Sequence, residues 1–211
     1  METISCEEVR KLCQALIRQP SLSGQEKGAS LVLQTYMKEQ GVFDTIQVDD
    51  YGNTLASIKG DRPGPVVLFD GHIDTVPVED ETAWTYPPFA GDIHGNRLYG
   101  RGASDMKGAL AAMTVGAVQF ARQTKKKFAG TLYIAAVVHE ECFEGVAARA
   151  ISQAIRPDYV IIGEASGLDL KVGQRGRAEI VLESKGKSCH SANPEKGVNA
   201  VYKMCKAIAC L

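Results

Sequence analysis

The sequence predicts an α/β protein built on a mixed sheet. Apolar runs of strand length alternate with helical patterns, and three of those runs stop at groups able to bind a metal. The runs are 66–69, 131–138 and Tyr159–Ile162, followed by Gly71-His72-Ile73-Asp74, His139-Glu140-Glu141 and Gly163-Glu164. Open α/β sheets keep their ligands at strand ends, so this recurrence is the strongest signal in the chain.

Each element has its own warrant. Ser5-Cys6-Glu7-Glu8 has the form of a capping box, and Val9, Leu12, Cys13, Leu16 and Ile17 follow at helical spacing until Pro20. Ser23-Gly24-Gln25-Glu26 repeats the signature ahead of Ala29, Val32, Leu33, Tyr36 and Met37, so it is expected to cap a second helix, which Gly41 closes. Strands are expected over 42–48 and Thr54–Lys59, around the turn Asp49-Asp50-Tyr51-Gly52-Asn53. After the strand at 66–69, residues 79–95 read as a loop carrying Trp84 and Pro87-Pro88. Small residues dominate 106–122, predicting a helix packed close to a sheet, and Lys125-Lys126-Lys127 reads as a solvated turn. A helix over Val146–Ile155 then precedes the strand at Tyr159. Beyond Glu164 the pattern changes: 170–174 and 178–184 alternate like paired strands, 188–194 reads as a loop, and a helix begins near Val198. Two domains are expected, 1–168 and 169–211. The second, a hairpin and a helix, is too small to stand alone.

Bulk properties exclude several classes. Of 211 residues, 45% are apolar and 23% charged, the balance of a protein with a sizeable core. A formal charge of −1 argues against nucleic acid or an anionic membrane as the main partner. No apolar run approaches a membrane span. Met1-Glu2-Thr3-Ile4-Ser5 lacks a basic segment leading into an apolar one, so no secretion signal is read. The six cysteines show no Cys-x-x-Cys pair, which points to reduced thiols and a cytoplasmic location.

His72, Asp105, Glu140, Glu141 and Glu164 make a set of one imidazole and four carboxylates. Taken alone, His-x-Asp fits a polar loop and Glu-Glu a solvated acidic pair; together, at strand ends, they suit a borderline metal such as Zn²⁺. Two metals about 3.5–4 Å apart polarise a carbonyl and activate water. A carboxylate off the metal then serves as general base, and Glu140 and Glu141 can divide these tasks. A carboxylate near His72, such as Asp74, can hold its other ring N–H.

At these residues the sequence resembles a known family. Gly71-His72-Ile73-Asp74-Thr75-Val76-Pro77, Gly100-Arg101-Gly102-Ala103-Ser104-Asp105-Met106-Lys107-Gly108, Glu140-Glu141 and Gly163-Glu164 are similar, in order and spacing, to the zinc-dependent amidohydrolases and exopeptidases. That family includes acetylornithine deacetylase, succinyl-diaminopimelate desuccinylase, aminoacylase and glutamate carboxypeptidase. Gly173-Gln174-Arg175-Gly176-Arg177 and Ser188-Cys189-His190 most resemble its YgeY-type subgroup.

The resemblance implies a mixed-sheet zinc-exopeptidase-like catalytic domain followed by the start of an α/β ferredoxin-like lid through which the family dimerises. It implies two divalent metals, zinc foremost, with cobalt or manganese as substitutes. His72 and Glu164 would bind the first, Glu141 the second, and Asp105 both. Glu140 would be the general base, Asp74 would orient His72, and His190 would steady the oxyanion in the other subunit's site. The implied reaction is hydrolysis of the amide bond of a small N-acyl amino acid or peptide; a carboxypeptidase or dipeptidase, or an inactive metal-binding remnant, are the alternatives. Arg175, flanked by glycines, suits a substrate carboxylate, though a surface arginine fits the same pattern. Two departures stand out. His139 occupies a place where the family carries aspartate, and the part of the family that brings the last metal-binding histidine has no counterpart. The chain therefore reads as the N-terminal half of such an enzyme, able to hold one metal.

Overall fold

The computed structural model describes residues 5–142, 145–176 and 178–211. Arg177 of the glycine-arginine motif and the opening residues read for a leader lie outside them.

Strand β3 (Arg62–His72) is the axis of the sheet and runs well beyond the expected 66–69. The added length at both ends is paired with one neighbouring strand. Strand β6 (Ala129–Val137) lies parallel to it as far as His72, and β7 (Tyr159–Ile162) lies parallel on the other edge, beside 67–70. Strands β1 (Thr45–Val48) and β2 (Thr54–Lys59) complete the order β1-β2-β6-β3-β7, with both of their pairings antiparallel. The sheet is therefore mixed, as the sequence predicts. A tight turn makes β1 and β2 antiparallel, whereas helices α3 (Gly108–Thr124) and α4 (Val146–Ile155) carry the chain back for parallel pairing. Because β6 and β7 flank β3 on opposite sides, the chain changes direction about β3, the kind of place where open sheets keep their ligands.

Register then aligns the chemistry. His72 lies beside Val137 and Asp70 beside Ile162. Continuing that register brings Glu164 level with His72, and places Glu140 and Glu141 just beyond the end of β6.

Helix α1 (Cys6–Ile17) is capped as expected, with Ser5 accepting from the Glu8 N–H. It packs against α2 (Lys27–Gln40) and α3. Leu16, Ile17, Leu33, Met37, Leu110 and Val115 are buried there, each worth about 1.5–3 kcal/mol relative to exposure. Helix α3 lies against β3 and β6, and α4 against β6. A Cβ at Gly71 would stand 2.6 Å from Met106 Cε, and one at Gly163 2.8 Å from Met113 Cε, so glycine lets the start of α3 close on the ends of β3 and β7.

Several elements differ from expectation. Strand β1 starts at Thr45 rather than 42. The loop at 79–95 ends in a small pair, β4 (Ile93–His94) with β5 (Arg97–Leu98). Helix α3 follows an irregular turn, Ala103–Lys107, in place of a helix from Met106. The second capping box is not a cap: Glu26 stands at the head of α2 with no side-chain bond to it.

The chain divides into two compact units, Met1–Asp169 and Leu170–Leu211. In the second, the expected strands at 170–174 and 178–184 form no ladder among the described residues. Val172, Ile180 and Val181 are exposed; alternation alone does not hold a two-stranded hairpin in water. One bridge joins Lys187 to Val198, and Asn199 caps α5 (Ala200–Ile208) by accepting from Val201 and Tyr202. All six cysteines are free. Among the described residues no helix is long and apolar enough to cross a membrane.

Candidate metal centre

His72, 3% exposed, ends β3 with its ring held at both nitrogens. Nδ1 lies 2.9 Å from the Asp74 main-chain carbonyl, which can only accept, so Nδ1 carries the hydrogen. Nε2 points to the acidic cluster, 2.7 Å from Asp105 Oδ1 and 3.6 Å from Glu164 Oε1. That is the tautomer and aim of a metal ligand. Two three-residue groups meet on this imidazole within ligand-sharing distance: His72, Glu140 and Glu164, and His72, Asp105 and Glu141.

Asp74 is fully buried, and its carboxylate reaches past the imidazole. Oδ1 is 3.6 Å from His72 Nδ1 and accepts from the Glu140 N–H; Oδ2 accepts from the Glu141 N–H and from Ser23 Oγ at 2.7 Å. The ring is thus held by the Asp74 carbonyl, while the carboxylate fixes the main chain of the Glu pair. The segment before α2 braces the same place. Ser21 Oγ donates to the Ile73 carbonyl, Thr75 N–H donates to the Ser21 carbonyl, and Glu26 Oε1 accepts from Gly24 and His139 N–H groups. Asn53 Oδ1 accepts from Val138. His139 has a left-handed backbone (φ 58°) and sits between these braces and Glu140.

Lys107 is the other hidden support. Fully buried, it donates from Nζ to the carbonyls of Leu16 and Gln19, each at 3.0 Å, tying the turn that carries Asp105 to the end of α1. Burial lowers its pKa to about 8. Ser21, Ser23, Glu26, Asn53 and Lys107 were not legible as site residues. Ser23 and Glu26 carried a signal, the capping pattern, that pointed to a different role.

The electrostatics fit a cation. Burial alone would lower the His72 pKa, but hydrogen bonds to Asp74 and Asp105 outweigh it and raise it to about 10. Burial raises Glu141, and the Asp105 charge adds to this. Burial raises Glu164 as well, with His72 opposing and Asp105 adding. Asp70, on the same strand, is pushed up by burial to about 6. Crowded carboxylates around one imidazole carry an excess of negative charge that a divalent ion would neutralise. Of the remaining predicted site residues, His190 is on an exposed loop of the second unit, its Nδ1 accepting from the Ala192 N–H. Arg175 is exposed in the extended stretch of that unit.

A mixed sheet that gathers one imidazole and several carboxylates at its strand ends has the make of a divalent-metal centre. The profile of Peptidase family M20/M25/M40 matches residues 68–209, and the chain belongs to that family. Among curated relatives, the uncharacterized protein YgeY of Escherichia coli (strain K12) is 33% identical over 199 residues, covering 93% of this chain and 48% of that protein. Succinyl-diaminopimelate desuccinylase 2 of Ruegeria sp. (strain TM1040) is 35% identical over 196 residues, covering 87% and 49%. The chain thus spans about half the length of the curated relatives it matches. The M20 family metallo-carboxypeptidase Sso-CP2 from Sulfolobus solfataricus shares its fold with a TM-score of 0.61 at 23% identity, over 75% of this chain and 37% of that one. Aminopeptidase PepT from Bacillus cereus does so with a TM-score of 0.62 at 22% identity, over 98% and 57%.

Proposed function

We propose that this protein works as a metal-dependent amide hydrolase on a small N-acyl amino acid, of the desuccinylase or deacetylase kind. The observation that carries the reading is the meeting of two ligand groups on His72, with Glu140 and Glu141 adjacent at a strand end. His72 and Glu164 would hold one divalent ion, Glu141 a second, and Asp105 both. Zinc suits this donor set, and cobalt or manganese would serve. Bound there, such ions polarise the scissile carbonyl and make water easier to deprotonate. Glu140 takes the proton from the attacking water and returns it to the departing amine. Asp74 keeps both Glu140 and Glu141 in place through their main-chain N–H groups.

Residues from 169 onward would begin a lid of ferredoxin-like form. His190 would steady the oxyanion in a second copy's site, making a homodimer the working form, and Arg175 would meet a substrate carboxylate with its planar fork. Free cysteines support a reducing, cytoplasmic setting. The 35% identity to a named desuccinylase favours N-acyl amino acids over dipeptides, because the likeness to solved peptidases is one of fold.

The test is hydrolysis of N-succinyl and N-acetyl amino acids, beside dipeptides, by metal-loaded protein expressed from its complete reading frame. Glu140→Gln should keep its metal and lose roughly 10²–10⁴-fold in rate. Metal lost together with activity would make Glu140 a ligand, the place its group with His72 and Glu164 also allows. Turnover of dipeptides with none of N-acyl amino acids would overturn the substrate assignment.

A further inference from the structure

A cavity of about 500 Å³ opens beside the brace segment, lined by none of the metal-ligand candidates. Its volume is in the range of small-molecule sites. Glu26 lines it and is only 6% exposed. Both main-chain donors that Glu26 accepts, Gly24 and His139, land on Oε1, where the His139 imidazole Nδ1 also stands 4.0 Å away. Among the described residues, Oε2 takes no hydrogen bond. A buried carboxylate with its partners gathered on one oxygen leaves the other a strong acceptor for a cationic donor. Lys27 lies on the same cavity and brings a positive charge next to the negative one. The remaining wall is apolar: Leu31, Val48 and Tyr51 are each about half exposed around the buried Val138. A guest covering them would remove apolar surface from water.

We propose that this cavity binds a free α-amino acid with an aliphatic side chain, its ammonium on Glu26, its carboxylate toward Lys27 and its side chain against Leu31, Val48 and Tyr51. An ammonium group supplies a charge-assisted donor to Glu26 Oε2. An aliphatic body matches the walls, and a carboxylate answers the lysine. Such an amino acid is also a product of the hydrolysis proposed above, so the cavity offers a place for product to act back on the Glu26–His139–Glu140 segment. Binding itself needs neither metal nor turnover, so the two readings fail separately.

The experiment is isothermal titration calorimetry on the 211-residue chain, dialysed against EDTA, with L-leucine, N-acetyl-L-leucine and isoamylamine as probes. L-Leucine should bind one to one. N-acetyl-L-leucine, which lacks the ammonium, should bind at least roughly tenfold more weakly, the scale of one hydrogen bond to a charged group. Glu26→Gln keeps an oxygen for Gly24 and His139 but loses the charge, and should weaken leucine by a similar factor, with circular dichroism confirming the fold. Lys27→Ala, at a surface position, should weaken leucine while leaving isoamylamine unchanged. Absence of leucine binding at millimolar concentration, equal binding of the N-acetyl compound, or an undiminished Glu26→Gln variant would each overturn the proposal. So would a Lys27→Ala variant that binds leucine as the parent does.

Discussion

Ser23 and Asp74 are joined across 51 residues of chain by one hydroxyl–carboxylate bond of 2.7 Å. Burial alone would raise the Asp74 pKa, but the His72 imidazole beside it and hydrogen bonds from Ser23 and the N–H groups of Glu141 and Glu140 hold it below the usual carboxylate range. Its contribution to stability is present at neutral pH and is lost as pH falls through that lowered value. Ser23→Ala should cost about 1.5–3 kcal/mol, the range for a hydrogen bond to a charged group. In a chain of this size that lowers the melting temperature by several degrees, and Ser23→Thr should restore most of it; an unchanged melt would remove Ser23 from the brace. Cys13 offers a second check. Burial raises its thiol to about 11, with Lys107 opposing. A raised pKa leaves little thiolate at pH 8, and the thiolate is the reactive form. A chromogenic thiol titration at pH 8 should therefore count five exposed cysteines in the native chain and all six once it is unfolded. Six at once would mean that the α1 core opens.

At the level of elements, the turn Ala103–Lys107 depends on a helix elsewhere in the chain. Lys107 gives two of its three ammonium donors to carbonyls at the end of α1, so the position of Asp105 is set by that helix end. Lys107→Met keeps the length and apolar stem but removes both donors. The unsatisfied buried carbonyls should cost about 1–3 kcal/mol each. The turn should also loosen, so metal affinity should fall with stability, read from competition with a chromogenic chelator. A variant that melts lower yet binds metal as tightly would make Lys107 a purely structural anchor. The second unit shows the opposite case. Its alternating stretch at 178–184 has the local pattern of a strand but no ladder among the described residues, because pattern stabilises a strand only through a partner.

Over the whole molecule, the sheet order brings the candidate ligands together at one set of strand ends. Both candidate ligand groups share the single Nε2 of His72, while Nδ1 is engaged with the Asp74 carbonyl. Among the described residues one ion would take the imidazole, and a second would rest on carboxylates. Elemental analysis of the purified 211-residue chain should find near one tightly held zinc per chain. Two tightly held equivalents would mean that another nitrogen ligand joins the site. Among the described residues strand β7 pairs with β3 alone, which leaves Tyr159 to Ile162 exposed at the sheet edge, a template for further strand pairing.

Short-range pattern was enough to read strands β2, β6 and β7, helices α1 and α4, and the acidic and imidazole groups that end β3, β6 and β7. Those signals are local: an apolar run needs only its own residues to want burial, and a polar stop marks where burial ends. The roles of Ser23, Glu26, Asn53 and Lys107 were not readable, since each is defined by a partner from a distant part of the chain. Ser-x-x-Glu serves a helix cap or a remote carboxylate and main-chain N–H equally well, and folding chose between them by bringing β3 and β6 beside the head of α2. The same holds for Asp74, whose neighbour in sequence is His72 but whose carboxylate is fixed on the Glu pair because parallel pairing of β3 with β6 puts those N–H groups within reach.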